Sequence, residues 1–141
     1  FFFSSRIRHT RFLNVTGVQT CALPISNDAA SLSPAATFGF DPKLVTRIGK
    51  IARESSNLTA AAFRDNAAKV SPATDKTPGA MAVPMCSPTG VAGVLSVELK
   101  ARLPVEEAKV SLAGIIAAQL ATLAMPIPEA VPDVEIKRAA I

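Results

Sequence analysis

The sequence has no tryptophan and no tyrosine, one histidine, two cysteines and seven phenylalanines in 141 residues. With so few rings, the interior has to be built from Val, Leu, Ile and Ala, and apolar residues make up 49% of the chain. The histidine is His9 and one of the cysteines is Cys21, so beyond residue 26 there is no histidine and a single thiol, Cys86. Such a body has no disulfide of its own, no zinc quartet and no histidine-based triad. A membrane span is also missing. The uncharged run from Val110 to Met125 is shorter than the roughly 20 apolar residues a bilayer requires, and Ser111, Gln119 and Thr122 dilute it.

What is present fits one domain with a real core. The formal charge is +4, but Arg6, Arg8 and Arg11 stand in an opening segment without acids, and the remainder carries 12 basic against 11 acidic residues. Lys137-Arg138 is too short for a phosphate-binding patch, so nucleic acid is not an expected partner.

The opening segment, residues 1–26, has apolar residues before its arginines and no adequate apolar core before a small-residue cleavage site, which argues against a secretory signal. Back-translation accounts for it differently. Val15 to Ile25, VTGVQTCALPI, resembles the translation of a common short-read sequencing adapter. Residues 1–26 are therefore expected to be non-native and to stand outside the domain, with the native N-terminus missing.

Residues 27–40, rich in small and turn-forming types, are expected to be loop. Asp41 is a predicted N-cap with Pro42 at the first helical position, and Leu44, Val45, Ile48 and Ile51 recur on one side, opposite Lys43, Arg47 and Lys50. Asn57 or Ser56 is expected to cap a second helix, Leu58 to Arg64, with Leu58, Ala61, Ala62 and Phe63 inward. Lys69-Val70-Ser71 reads as a short strand and Pro72 to Pro78 as loop.

From Gly79 the pattern is that of a hairpin. Ala80 to Met85 is apolar but contains Pro84, which suits an edge, a strand end or a bulge. Ser87-Pro88-Thr89-Gly90 supplies the turn. In the second run Val91, Gly93, Leu95, Val97 and Leu99 share a wholly apolar face, while Ala92, Val94, Ser96 and Glu98 share one that becomes polar. Gly93 in mid-strand marks a bulge or a close approach by another backbone or a ligand. Pro104 opens a last helix with Glu106 and Glu107 in its first turn. Its stripe of Val105, Ala108, Leu112, Ile115, Ile116, Gln119, Leu120 and Leu123 is expected to lie on the apolar side of the hairpin. The alternating prolines after Met125 describe a tail or linker over 125–141.

Val83-Pro84-Met85, then Gly90-Val91-Ala92-Gly93-Val94-Leu95, then Ala118-Gln119-Leu120 on the closing helix resemble the C-terminal part of a GAF domain. The resemblance covers about Leu44 to Leu123 and places a partial domain at 41–124. It implies an α+β fold, a GAF/PAS-like antiparallel sheet with helices packed on one face, incomplete at its N-terminal side. It implies a cytoplasmic regulatory or sensory role in a bacterial-type signalling protein, with a small-molecule ligand as partner. The family's cyclic-nucleotide motif is absent, and no cofactor is named.

On that resemblance Phe63, Arg64, Met81, Met85 and Gly93 are the candidate pocket residues. No catalytic residue and no metal ligand is expected, and the chain is read as a non-enzyme. Cys86 carries an alternative, since some GAF proteins are thiol-dependent methionine sulfoxide reductases. A third reading is a structural or dimerisation module without ligand. Gln119, polar on an apolar stripe, either touches a partner in a homodimer through the terminal helix or bonds within its own fold.

Overall fold

The computed structural model describes residues 18–26, 29–99 and 104–123. His9, the three arginines of the opening segment and the proline-rich tail lie outside the described residues, as do the readings that rest on them. Ten elements follow in order: β1 (Val18–Pro24), β2 (Ser31–Leu32), β3 (Ala36–Phe38), α1 (Pro42–Ile48), β4 (Ile51–Ala52), α2 (Leu58–Asp65), β5 (Lys69–Ser71), β6 (Ala80–Ser87), β7 (Gly90–Leu99) and α3 (Glu107–Leu123).

The expected hairpin is the centre of the structure. β7 is flanked by β6 and β1 in a five-stranded sheet of order β3-β1-β7-β6-β5 whose neighbours all run antiparallel. At the turn the Ser87 hydroxyl donates to the Gly90 carbonyl at 2.9 Å, and Gly90 has φ +131°, open to glycine and strained for other residues. β5 pairs only with Ala80 to Ala82. Pro84 therefore sits where β6 has lost its outer neighbour, and a missing amide is tolerated there. A register shift between Met85 and Cys86 carries Val91 to the cluster under α2 and Ala92 to that under α3, so Val91 does not share the face of Leu95 as its parity predicts.

The domain extends further toward the N-terminus than 41. Val18–Pro24, inside the segment expected to stand apart, is an inner strand paired with β7 along its whole length from Val18↔Leu99 to Pro24↔Gly93. Its alternation is real: Cys21 and Leu23 are fully buried on one side, while Thr20 and Ala22 turn to the other, in register with Val97 and Leu95. The stretch 27–40, expected to be loop, supplies β3 at the edge beside β1 and β2, which pairs with β4 in a separate two-stranded sheet. These strands are two and three residues long, too short to show a period.

The helices form where capping chemistry places them. The Asp41 carboxylate accepts from the Lys43 amide at 2.8 Å, with Pro42 at the first turn and Gly49 at φ +60° at the end of α1. Asn57 caps α2 by accepting from the Ala60 amide at 2.8 Å, and Asn66 closes it in the left-handed conformation. α2 turns Thr59, Ala60, Ala62 and Phe63 inward.

The fold class is α+β with an open antiparallel sheet, as expected, but its helices do not share a face. α2 packs with Cys21, Leu23, Ala82 and Val94. α3 packs with Met81, Val83, Met85, Leu95, Val97 and Leu99, the residues of opposite parity.

α3 is also turned about its axis relative to expectation. Ala113, Ala117 and Ala121 face the sheet, whereas Leu112, Ile115, Ile116 and Leu123 are exposed. The reason is volume. That face of the hairpin already carries six large side chains, so a close approach at native packing density requires small residues on the helix. A four-residue alanine spacing provides them.

Candidate functional site

α3 lies mainly against β6 and touches β7 less. Beside it, over β1 and β3 on the same face, lies a groove of about 450 Å³. Its floor includes Ala22, Ala36, Phe38 and Val97, and its wall is one flank of α3, with Lys109, Leu112, Ile116 and Leu120. That volume falls within the range of ligand-sized clefts. The lining is almost entirely apolar. At one end Lys109 donates to the Pro104 carbonyl at 3.1 Å and approaches Glu106 at 3.6 Å, so its charge is shared with the start of the helix.

The five candidate pocket residues are not gathered into one pocket, although Met85 and Gly93 are paired across the hairpin. Met81 alone borders the groove. Met85, on the same face, is buried in the core against α3. Phe63 lies on the opposite face, in the cluster with Leu23 and Val94, and its ring stacks under the Arg53 guanidinium at 5.1 Å. Arg64 is exposed and donates to the carbonyls of Arg53 and Ser55 at 3.0 and 2.9 Å, so it pins the β4–α2 connection instead of reaching a cavity. Gly93 marks a close approach by backbone: a Cβ there would lie 2.4 Å from the Leu23 carbonyl oxygen and 2.8 Å from Pro24 Cα.

The α2 face has its own polar features. The Thr59 and Ser96 hydroxyls form a buried hydrogen bond of 2.7 Å between α2 and β7, worth about 1 kcal/mol net. Two residues on, Glu98 is 7% exposed, in register with Gln19 and Ala80, and burial pushes its carboxyl up to about 7. Burial likewise pushes the Cys21 thiol up to about 11, which keeps it protonated and unreactive. Cys86 is exposed near the end of β6, and its thiol donates to the Asn66 side-chain oxygen at 3.3 Å. Among the described residues no three His, Cys, Asp or Glu side chains are placed to hold a metal ion, and no helix is long and apolar enough to cross a membrane.

The groove was missed because its parts come from three places: β1 in the set-aside segment, β3 in a presumed loop, and the flank of α3. One signal was present. Alanines at 113, 117 and 121 run beside large residues at 112, 116 and 120, which marks a helix with two different apolar sides.

No family profile and no curated protein matches the sequence. The fold, however, has clear counterparts among solved structures. The GAF domain of an Acinetobacter phosphoenolpyruvate-protein phosphotransferase superposes with a TM-score of 0.65 at 18% identity, over 77% of this chain and 70% of that one. The second GAF domain of DevS from Mycobacterium smegmatis gives 0.60 at 23% identity, over 75% and 78%. A type II free methionine-R-sulfoxide reductase from Thermoplasma acidophilum gives 0.61 at 15% identity, over 75% and 77%. The described sheet and helices are of the class these structures define: the chain has the GAF-domain fold.

Proposed function

We propose that this chain is a regulatory module that relays a signal through α3, in a cytoplasmic signalling protein of bacterial type. One observation carries the reading. α3 covers only half of its face and turns its largest side chains outward beside an open apolar groove, so whatever fills the groove bears directly on the helix. A small apolar molecule or a partner surface seated there changes how α3 packs, and α3 leads into the segment that follows. Solved relatives of this fold named as GAF domains of a phosphotransferase and of DevS support a regulatory part within a larger protein.

An environment-sensitive dye, anilinonaphthalene sulfonate, tests the working surface. Fluorescence enhancement is expected with the monomeric wild-type chain, and Phe38→Glu is expected to abolish most of it with unchanged far-UV circular dichroism. A folded, monomeric wild-type chain that takes up no dye overturns the reading.

A thiol-dependent methionine sulfoxide reductase is the second reading. It is favoured by the exposed Cys86 and by two such reductases among the similar structures. Free methionine-R-sulfoxide turnover that is unchanged in Cys86→Ser ends it.

A further inference from the structure

We infer that the corner where α1, β4 and α2 meet is a docking surface for an acidic peptide segment of a partner protein, with Arg53 and Arg64 as its fixed anchors. The surface lies on the α2 side of the sheet and goes beyond the relay through α3.

Charge is the first consideration. Beyond residue 26 the chain is almost balanced, with 12 basic against 11 acidic residues. Yet Lys43, Arg47, Lys50, Arg53 and Arg64 gather on this corner, and all five are exposed. Three acids share the stretch. Asp41 caps α1, Glu54 stands beside Arg53, and Asp65 is held by Lys69, so its charge is already matched. The ion pairs among the described residues, Lys69–Asp65 and Lys109–Glu106, include none of the five cations. Ile48, Ile51 and Phe63 pack in one cluster, which brings the end of α1, β4 and α2 together, and the step from Lys50 to Arg53 spans at most about 11 Å.

The second consideration is that two of the cations are held in place. The Arg53 amide donates to the Ala30 carbonyl at 2.9 Å, and the Ser55 amide closes a turn on the Ala52 carbonyl at 3.0 Å. Arg64 Nη1 donates to the carbonyls of Arg53 and Ser55, and the Arg53 guanidinium lies over the Phe63 ring at 5.1 Å. The backbone and both side chains are ordered before a partner arrives, which lowers the entropic cost of binding. One nitrogen of Arg64 serves both carbonyls, so among the described residues its Nε and Nη2 remain as donors. That edge of a guanidinium matches a carboxylate in two parallel bonds.

The surroundings select the kind of partner. Asp41 and Glu54 lie among the cations, which suits a chain with spaced carboxylates better than a uniform polyanion. Phe40 and Phe63 are packed into the core, so neither ring offers a base a stacking surface. The exposed large apolar residues, Phe38, Val70 and those of α3, lie outside α1, β4 and α2, which leaves nothing at the corner to enter a bilayer.

Fluorescence anisotropy of the full chain with a fluorescein-labelled peptide of alternating glutamate and serine tests the assignment, in about 50 mM salt. Saturable binding is expected with a Kd of about 10–100 µM. It should weaken as salt rises and vanish when glutamine replaces glutamate in the peptide. The double variant Arg47→Glu, Lys50→Glu is expected to weaken binding at least about tenfold. Arg64→Lys, which keeps the charge and loses the fork, and Arg53→Gln are each expected to weaken it at least about threefold with unchanged circular dichroism. Lys76→Glu on the β5–β6 connection, and the triple variant Arg6→Ser, Arg8→Ser, Arg11→Ser, are expected to stay within about twofold of wild type. Absence of binding overturns the inference, as does binding that the variants at Arg53 and Arg64 leave unchanged or that the two controls reduce equally. Parallel titrations use a single-stranded oligonucleotide and vesicles of phosphatidylcholine with phosphatidylserine. Tighter binding of either, lost in the same corner variants, overturns the choice of an acidic peptide as partner.

Discussion

The two faces of the sheet are built from alternate residues of the same strands, yet they are finished differently. Under α2, Cys21, Leu23 and Val94 are wholly excluded from solvent, and the polar pair Thr59 and Ser96 locks helix to strand. Under α3 the hairpin half is closed by an alanine stripe, while no helix among the described residues covers the β1 and β3 half. The α2 face is a finished core with one fixed registry. The α3 face is packed along one line and unsatisfied along the next. Stability belongs to the first and adaptability to the second, as expected where a scaffold supports a surface meant to respond.

That contrast is broken or upheld most directly by truncating one aliphatic residue on each face. Leu23→Ala, at a fully buried position on the α2 face, is expected to cost about 2–5 kcal/mol. Thermal unfolding should fall by roughly 10 °C or more for a domain of this size. Ile115→Ala, outward on α3, is expected to change the monomer by no more than about 0.5 kcal/mol. Equal losses at both positions mean that the faces do not differ as described.

Gly93→Ala probes the line where the faces meet. The added Cβ meets the flexible tip of Met85 at 2.3 Å, which can swing aside, and the Leu23 carbonyl oxygen at 2.4 Å, which is backbone, so β1 has to move away from β7. A loss of about 1–3 kcal/mol is expected, with faster amide exchange confined to the β1–β7 ladder. A neutral outcome means β1 is not held against β7 as tightly as its register implies.

Much of this was legible in the sequence where chemistry is local. The hairpin, the caps at Asp41 and Asn57 and the close approach at Gly93 follow from turn residues, side-chain acceptors and a missing Cβ, all readable within a few positions. What was not legible depends on distant partners. β2 and β3 exist only because β4 and β1 lie beside them. β1 was set aside because of a nucleotide-level resemblance, which says nothing about whether Cys21 and Leu23 fit under α2. The face of α3 was ambiguous because alanines and large aliphatics alternate around it, and only the bulk of Met81, Val83 and Met85 opposite decides which side goes in. The pocket residues failed together for a related reason: nothing in Phe63 or Arg64 states which face α2 covers, and it covers the one away from Met81.

Glu98 sharpens the comparison from the polar side, with a smaller expected effect than Leu23 or Gly93. Among the described residues it is the carboxylate on the α2 face whose pKa burial raises, to about 7 against an ordinary 4.5. The protonated form is the one the folded state prefers. Its contribution to stability is therefore complete below pH 4.5 and lost as pH rises through 7, where the folded chain must carry a buried negative charge. Glu98→Gln removes that burden while keeping shape and hydrogen-bonding capacity. The variant is expected to be more stable than the wild type by about 1–2 kcal/mol at pH 8, and the difference should shrink toward zero near pH 4.5. Chemical denaturation at several pH values measures it. A constant difference across that window places the charge in solvent rather than in the core, and the α2 face would then be less completely closed than its aliphatic residues indicate.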